Sequence, residues 1–188
     1  MNTIDTPTLI LIAGAIVLLL IALAAWFFIQ KRRSERLQQR FGPEYGRAVK
    51  ETGNRAKAEA ELMAREKRVE RLHIVPLAPD EAARFSQAWK ALQARFVDNP
   101  KAVVVEADQL VRELMQKRGY PMGDFRRRAA DISVDHPAVV DHYRAAQAIV
   151  QREESDTERL REAVVHYRAL FQELLEVREP ARETVPAK

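Results

Sequence analysis

The chain has 188 residues, no cysteine and a formal net charge of +4. Without cysteine it can hold no disulfide framework, thiolate metal site or cysteine nucleophile. The charge is uneven, because residues 31–75 carry 13 Lys and Arg against 7 Asp and Glu, whereas residues 76–188 carry 18 against 19. The excess belongs to a short basic segment, and the balanced remainder argues against a nucleic-acid-binding domain.

An uninterrupted apolar run follows a short leader, residues 1–8, and covers residues 9–29. As a helix rising about 1.5 Å per residue, this run spans about 31 Å, close to the thickness of bilayer hydrocarbon. A cleaved signal peptide is the alternative, but the leader has no Lys or Arg and the run is long for a signal segment. We therefore predict an uncleaved transmembrane helix over residues 9–29.

Basic residues crowd only the C-terminal end of this run. Positive charge favours the cytoplasmic side, so we expect the N-terminus outside and the C-terminal domain in the cytoplasm. These side chains are also expected to contact anionic lipid headgroups, although setting the topology alone would account for them. They are Lys31, Arg32, Arg33, Arg36 and Arg40.

Residues 30–75 read as a basic juxtamembrane helical stalk. Gly42-Pro43 and Gly53-Asn54 divide it, since glycine suits a helix end while proline and asparagine suit a helix start. The last helix, residues 55–72, carries a sparse apolar seam that Arg65 interrupts, and Glu61 and Arg65 form an i, i+4 pair. An arm packed on the domain and a short coiled coil joining two chains both fit. Fewer than three clean heptads favours the arm.

Residues 76–177 divide into helices at clear Pro, Gly and Asp/Asn signals, and no window alternates like a half-buried strand. Helices are predicted from Pro79, from Pro100, over residues 125–132, over residues 138–151 and after Ser155-Asp156. Short loops between long amphipathic helices predict an antiparallel helical bundle in an all-α protein. Residues 178–188 hold two prolines and little to bury, so this tail is predicted to be disordered. The strongest apolar stripe is Leu160, Ala163, Val164, Tyr167, Leu170, Phe171, Leu174 and Leu175.

Three histidines raise the question of a metal site. His136 and His142 have neighbouring aspartates, and His-Tyr-Arg-Ala occurs twice, beginning at His142 and at His166. A catalytic or structural metal site needs three or four converging ligands, and no HExxH spacing is present. The simpler interpretation has both tyrosines filling the core with bonded hydroxyls, while His136 helps cap the helix beside Pro137. No catalytic, cofactor or metal-binding residue is therefore predicted.

A basic cluster on the short predicted helix, residues 125–132, could bind an anion. Together with Lys117 and Arg118 across the Gly-Tyr-Pro turn, Arg126, Arg127 and Arg128 would suit phosphate or acidic-peptide recognition. An ordinary solvated helix explains the same residues. No glycine-rich phosphate loop or nucleophile elbow occurs. The predicted interaction surface consists of Arg126, Arg127, Arg128, Asp135, His136 and His142.

Several segments resemble a group of small bacterial membrane proteins that have one N-terminal span before a helical region. The matching segments are RFGPEY (40–45), RFVDNP (95–100), RGYPMGDF (118–125), SVDHP (133–137) and HYRALF (166–171), within a resemblance covering residues 26–177. The resemblance implies a helical fold and a membrane location, here the bacterial inner membrane, and no activity or functional residue. Ala78 precedes Pro79 where similar sequences carry a capping serine.

The function expected is a membrane-anchored cytoplasmic helical domain that binds a protein partner, and no enzymatic activity is expected. One alternative is a metal- or small-molecule-binding enzyme that uses His136, His142 and His166. Another is a structural anchor whose basic stalk contacts lipid. The expected partners are the lipid bilayer and a protein of unspecified identity, a homodimer remains open, and neither nucleic acid nor a cofactor is expected.

Overall fold

The computed structural model describes residues 6–152 and 156–175, with side chains from residue 14 onward. These ranges contain no β-strand, which confirms the all-α prediction. The chain divides into two compact units, Met1–Glu59 and Ala60–Lys188. The start of the predicted leader, the predicted cap Ser155 and the tail at 178–188 lie outside the described residues. The described helices are α1 (Thr6–Phe41), α2 (Pro43–Thr52), α3 (Arg55–Val69), α4 (Pro79–Ala94), α5 (Pro100–Arg118), α6 (Phe125–Asp135), α7 (Val140–Val150) and α8 (Thr157–Leu174).

Helix α1 runs without a break from the apolar segment through the basic residues that follow it. Its portion Gly14–Phe41 is long and apolar enough to cross a membrane, and none of its most apolar window is buried. The side chains of Leu18 and Phe27 are 69% and 67% exposed, respectively. Arg32 lies at the end of this apolar part, with its guanidinium carbon 4.4 Å from the ring centroid of Phe28. The apolar and basic segments therefore belong to one continuous helix.

The predicted breaks after α1 and α2 are confirmed. Gly42 has a φ of +48°, a backbone conformation that glycine adopts at little cost, and Pro43 begins α2. Gly53 ends α2, and the Asn54 side chain accepts a hydrogen bond of 3.0 Å from the backbone N–H of Lys57. Asparagine at this position caps α3, because it satisfies one of the N–H groups that a helix start leaves unpaired.

One side of α3 is buried, and it includes a charged residue. Leu62 and Val69 are buried as their spacing predicts, and Arg65 between them is only 7% exposed. The predicted i, i+4 pair is present, with Arg65 Nη2 2.5 Å from Glu61 Oε1. The helix ends at Val69, three residues before the predicted end. The following residues leave the helix and pack along α5, where the N–H of Val75 donates to the carbonyl of Arg118 at 2.9 Å.

The second half of α3 packs against α6. Arg65 Nη1 donates to Ser133 Oγ at 3.3 Å, and Arg68 Nε donates to Asp131 Oδ1 at 2.7 Å. The Asp131 side chain is almost fully buried, at 1% exposure. A buried carboxylate persists only where donors satisfy it, so this pair fixes the register of α3 on α6. The packing supports the arm interpretation of this segment.

The apolar core of the second unit forms one cluster around α4, α5, α7 and α8. Trp89 of α4 stacks on Phe171 of α8, with ring centroids 4.7 Å apart. Burying each large apolar side chain contributes about 1.5–3 kcal/mol, so the stripe of α8 is a major source of stability. Leu175, the last member of the predicted stripe, is the C-cap residue of α8 and is only half-buried. The other predicted stripe residues are all buried: Leu160, Ala163, Val164, Tyr167, Leu170, Phe171 and Leu174.

Polar contacts show the relative directions of the core helices. The pair Glu81–Lys117 joins the start of α4 to the end of α5, at 2.8 Å. Arg95 and Glu106 pair at 2.5 Å, joining the end of α4 to the earlier part of α5, so these two helices run in opposite directions. By contrast, α5 and α8 run in the same direction. Near the middle of both helices the hydroxyl of Tyr167 donates to Asp108, and at their C-terminal ends Arg118 donates to the carbonyl of Leu174.

The joint between α6 and α7 differs from the prediction. Helix α6 continues to Asp135 rather than ending at residue 132, because Ser133 Oγ donates back to the carbonyl of Ala130 at 2.7 Å and stays within the helix. His136 does not cap α7; it is the C-cap residue of α6, where its backbone N–H donates to the carbonyl of Ile132 at 2.8 Å. Val139 occupies the N-cap position without a side-chain hydrogen bond, and the ring of His136 contacts Glu173 of α8 instead.

Helix starts elsewhere follow the predicted caps. The side chains of Asn99, Asp124 and Asp156 each accept a backbone N–H in the first turn of α5, α6 and α8. Helix α4 begins with Pro79 in its first turn, but Ala78 at the N-cap provides no side-chain hydrogen bond. The start of α4 therefore lacks roughly the 1 kcal/mol that a capping side chain typically contributes.

Gly119 ends α5 at a point where the loop before α4 crosses it. Its φ is +99°, and a Cβ added there would lie 2.3 Å from the backbone carbonyl oxygen of His73. The adjoining loop is held by the backbone bond between Val75 and Arg118. Glycine is required here for two reasons, the left-handed backbone and the close approach of the second chain segment.

We expect Gly119→Ala to destabilise the second unit by at least about 2 kcal/mol, because a left-handed backbone costs an L-residue about 1–2 kcal/mol and the clash adds to it. Chemical denaturation of the detergent-solubilised chain, followed by circular dichroism, measures the change. Gly46→Ala is the control, since Gly46 lies within α2 with no atom within 4 Å of its added Cβ. That substitution should stabilise α2 slightly. Equal effects of the two substitutions would contradict the analysis.

Candidate functional site

The three arginines of α6 point to different surroundings. Arg126 and Arg127 are exposed, whereas Arg128 is half-buried. Arg128 Nε donates to the hydroxyl of Tyr143 at 3.1 Å, and its Nη1 donates to the carbonyl of Gly123. Arg128 therefore helps to hold α6 on α7. Of its two exposed neighbours, Arg127 has Nε 3.9 Å from Oδ2 of the buried Asp131.

The other two residues proposed for an anion site are engaged elsewhere. Lys117 pairs with Glu81 of α4, and Arg118 is buried at 4% exposure with Nη1 donating to Leu174. The structure instead brings arginines of α3 beside those of α6, around a depression of ≈ 300 Å³. Sequence reasoning missed this grouping, although the placement of Arg65 within an apolar seam was a signal of burial. The depression is lined by Glu61, Ala64, Arg65, Arg68, Asp124, Arg126, Arg127 and Ala130.

Asp135 and His136 form part of the joint after α6. Asp135 Oδ2 accepts a hydrogen bond of 3.3 Å from the hydroxyl of Tyr120. His136 is 8% exposed, and its Nδ1 lies 3.1 Å from Oε1 of Glu173. Because Tyr120 follows α5 and Glu173 lies on α8, these contacts tie the joint to two core helices. Asp135 and His136 therefore have a structural role in holding the joint against the core.

His142 and His166 lie side by side on α7 and α8. Their Nδ1 atoms are 2.8 Å apart, and their ring centroids are 5.1 Å apart. His142 is exposed, and the side chain of His166 keeps 21% of its exposure. His136 does not join them, because its partner Glu173 is seven residues beyond His166, about 10 Å along α8. Within the described residues, no group of three or more His, Asp and Glu side chains is arranged to hold a metal ion.

The tyrosines that follow these histidines are fully buried, as the simpler interpretation predicted. Burial raises the pKa of the Tyr143 hydroxyl, against the hydrogen bond from Arg128, which lowers it. Burial likewise raises the pKa of Tyr167, and the negative charge of Asp108 raises it further. Both phenols stay protonated at neutral pH, so Tyr167 donates to Asp108 at 3.0 Å. Their role is to pair buried hydroxyls within the core.

A groove runs along the outside of α4 and α5. Its larger part has a volume of ≈ 620 Å³, and a continuation of ≈ 330 Å³ shares residues with it. The ion pairs Glu81–Lys117 and Arg95–Glu106 join the two helices near its opposite ends. The Lys117 ammonium holds the pKa of the Glu81 carboxyl below its ordinary value. Between these ion pairs the groove is lined by the apolar residues Phe85, Ala88, Leu92 and Leu110.

The first unit contains a polar network between α1, α2 and α3. Glu59 Oε1 accepts hydrogen bonds from Ser34 Oγ at 2.5 Å and from the Tyr45 hydroxyl at 2.7 Å. Arg55 Nε donates to the same carboxylate oxygen at 3.0 Å, and Arg55 Nη2 contacts Ser34. Burial alone would raise the pKa of Glu59, but the hydrogen bonds from Ser34, Tyr45 and Arg55 outweigh it and lower that pKa. The charged carboxylate therefore stabilises this junction.

The network predicts a pH dependence in the first unit. Because its folded-state pKa is lowered, Glu59 stabilises the folded unit above its unfolded pKa, near 4.5, and this contribution is lost as pH falls through the folded-state pKa. Carbon-13 NMR of the carboxyl in detergent micelles should show Glu59 titrating below the ordinary glutamate range. Tyr45→Phe should move that titration to higher pH. An ordinary pKa for Glu59, unchanged by Tyr45→Phe, would contradict the network.

The residues expected to contact lipid headgroups are all exposed on the C-terminal part of α1: Lys31, Arg32, Arg33, Arg36 and Arg40. Ser34 and Leu37 lie between them in the chain and are buried, at 3% and 2% exposure. This part of α1 is therefore two-sided, with a basic exposed face and a buried face that carries the polar network.

Comparison with known proteins does not assign the chain to a family. Neither protein-family models, nor curated proteins, nor solved structures gave a significant match. Any statement about function therefore rests on the residues and contacts described above.

Proposed function

We propose that the chain is a single-span protein of the bacterial inner membrane, with its N-terminus outside. Its C-terminal helical bundle is cytoplasmic and binds a protein partner. The proposed bundle contains two antiparallel pairs, α4 with α5 and α7 with α8, and places α5 beside α8 in parallel. The bacterial location rests on the resemblance, whereas the span and the binding activity have support from the contacts and exposure of the described residues.

The exposure of α1 supports the transmembrane proposal. A core helix of a water-soluble protein buries its apolar face, but here the apolar side chains are exposed around the helix. A water-soluble monomer rarely exposes an apolar patch larger than a few hundred Å², so such a surface needs lipid or protein around it. The basic residues that follow on the same helix support a cytoplasmic C-terminal side.

The groove on α4 and α5 carries the proposal of partner binding. It presents apolar surface beside exposed charges, the usual composition of a protein-binding groove. Residues 84–95, which line it on α4, extend over about 16 Å, enough for about three turns of a partner helix. Among its lining residues are Glu113 and Lys117 but no histidine or serine. An amphipathic helix with a narrow apolar face is therefore the partner we propose.

The orientation is tested by reporters fused after Lys188. A reporter that works only in the cytoplasm should be active, because the basic residues beside the span remain on that side. A reporter that works only after export should be inactive at the same position. Replacing Lys31, Arg32 and Arg33 together should reduce the preference for this orientation. Activity of the exported reporter on the unmodified chain would overturn the proposed topology.

Partner binding is tested by site-specific photo-crosslinking in intact cells. A photoreactive residue at position 88 or 91, both exposed on the groove side of α4, should give one discrete adduct. The same residue at position 101 or 165, exposed on other surfaces, is the control. Phe85→Ala should weaken the adduct formed at position 88, because it removes apolar surface from the groove. No adduct at either groove position, or equal adducts at the controls, would contradict this site and favour a structural anchor.

A further inference from the structure

We propose that His142 and His166 form a chelating site for one late transition-metal dication, such as Zn²⁺, Ni²⁺ or Cu²⁺. This site does not depend on the partner-binding proposal. It uses only two protein ligands, and it differs from an enzyme centre built on all three histidines. Its effect would be to tie α7 to α8 at their exposed edge.

The distance between the two imidazoles carries the inference. Two nitrogen atoms bound to one metal ion at about 2.0–2.1 Å lie about 3 Å apart. The two Nδ1 atoms are already 2.8 Å apart. Without a metal, one ring must supply the single proton shared between these nitrogens. A metal ion can occupy the position of that proton when the donating ring carries its proton on Nε2 instead, so that both rings remain neutral, the form in which imidazole binds metals.

The surroundings of the pair also fit metal binding. Glu162, one turn before His166, places Oε1 3.8 Å from the Nε2 of that ring. This separation is longer than a hydrogen bond, so Glu162 contributes negative charge beside the ring. On α7, Arg144 donates to Asp141 at 3.0 Å, so the arginine next to the pair has an acidic partner. Both histidines retain solvent access, so water can fill the remaining coordination positions.

The core beneath the pair fixes its geometry. Tyr143 and Tyr167, the next residues in each helix, are fully buried and lie edge to face with ring centroids 6.4 Å apart. Their hydroxyls are bonded to Arg128 and Asp108, respectively. Because each tyrosine anchors its helix, the preceding histidines are held opposite each other before any metal binds. Preorganised ligands of this kind lower the entropic cost of binding.

The test uses the full chain in detergent, purified with a histidine-free tag and stripped of metal by a chelator. Calorimetric titration with Zn²⁺ should show one ion bound per chain, and bound Zn²⁺ should raise the thermal unfolding midpoint. His142→Gln and His166→Gln should each reduce the affinity at least about tenfold, as expected for loss of a ligand. His73→Gln, which changes an exposed histidine outside the pair, should leave binding unchanged.

A spectroscopic measurement on the unmodified chain separates this site from unrelated metal binding. One bound Cu²⁺ should show two equatorial nitrogen ligands by electron paramagnetic resonance, and His142→Gln should reduce them to one. Circular dichroism should show that the glutamine variants keep the helical content of the parent. Absence of Zn²⁺ binding by the parent, unchanged binding by the double variant, or loss of binding with His136→Gln alone would overturn the proposal.

Discussion

The second unit depends on two buried tyrosines whose hydroxyls must find partners inside the protein. Tyr143 is paired by Arg128 of α6, and Tyr167 donates to Asp108 of α5. Leaving a buried hydroxyl unpaired costs about 1–3 kcal/mol, so these contacts restrict how α5, α6, α7 and α8 can pack. The surrounding stripe of apolar residues provides the larger stabilisation but is less directional. The tyrosine hydrogen bonds and the apolar stripe together position the neighbouring helices around α8. The same packing brings His142 and His166 together.

Helices and their starts could be predicted from the sequence because the signals are local. Asn99, Asp124 and Asp156 cap helices with their own side chains. Gly42 and Pro43 separate two helices through their own backbone preferences. The predicted end of α6 failed because Ser133 was read as a turn residue, whereas its hydroxyl bonds back within the helix. The role assigned to His136 failed because the nearest neighbour in sequence was preferred to Glu173, which is distant in sequence.

The candidate sites were predictable only in part, because they form between helices that are far apart in the chain. The repeated His-Tyr-Arg-Ala segment identified both members of the histidine pair, but their distance depends on how α7 and α8 pack. No sequence pattern predicted the groove, because Phe85 and Leu110 lie on the apolar stripes of their helices and look like ordinary core residues. The basic excess of residues 31–75 includes side chains that are already paired, because Arg65 pairs with Glu61 and Arg68 pairs with Asp131.

In the proposed membrane arrangement, the unbroken course of α1 links the span to the polar network of the first unit. Ser34 lies on the same helix as the apolar segment, five residues beyond Ile29, with no glycine or proline to act as a hinge. Helices adjust to a change in bilayer thickness mainly by tilting. A tilt of the apolar segment must therefore displace Ser34 relative to Tyr45 and Glu59 or carry α2 along with it. Under the proposed topology, bilayer thickness would therefore be mechanically coupled to the hydrogen bonds among Ser34, Tyr45 and Glu59.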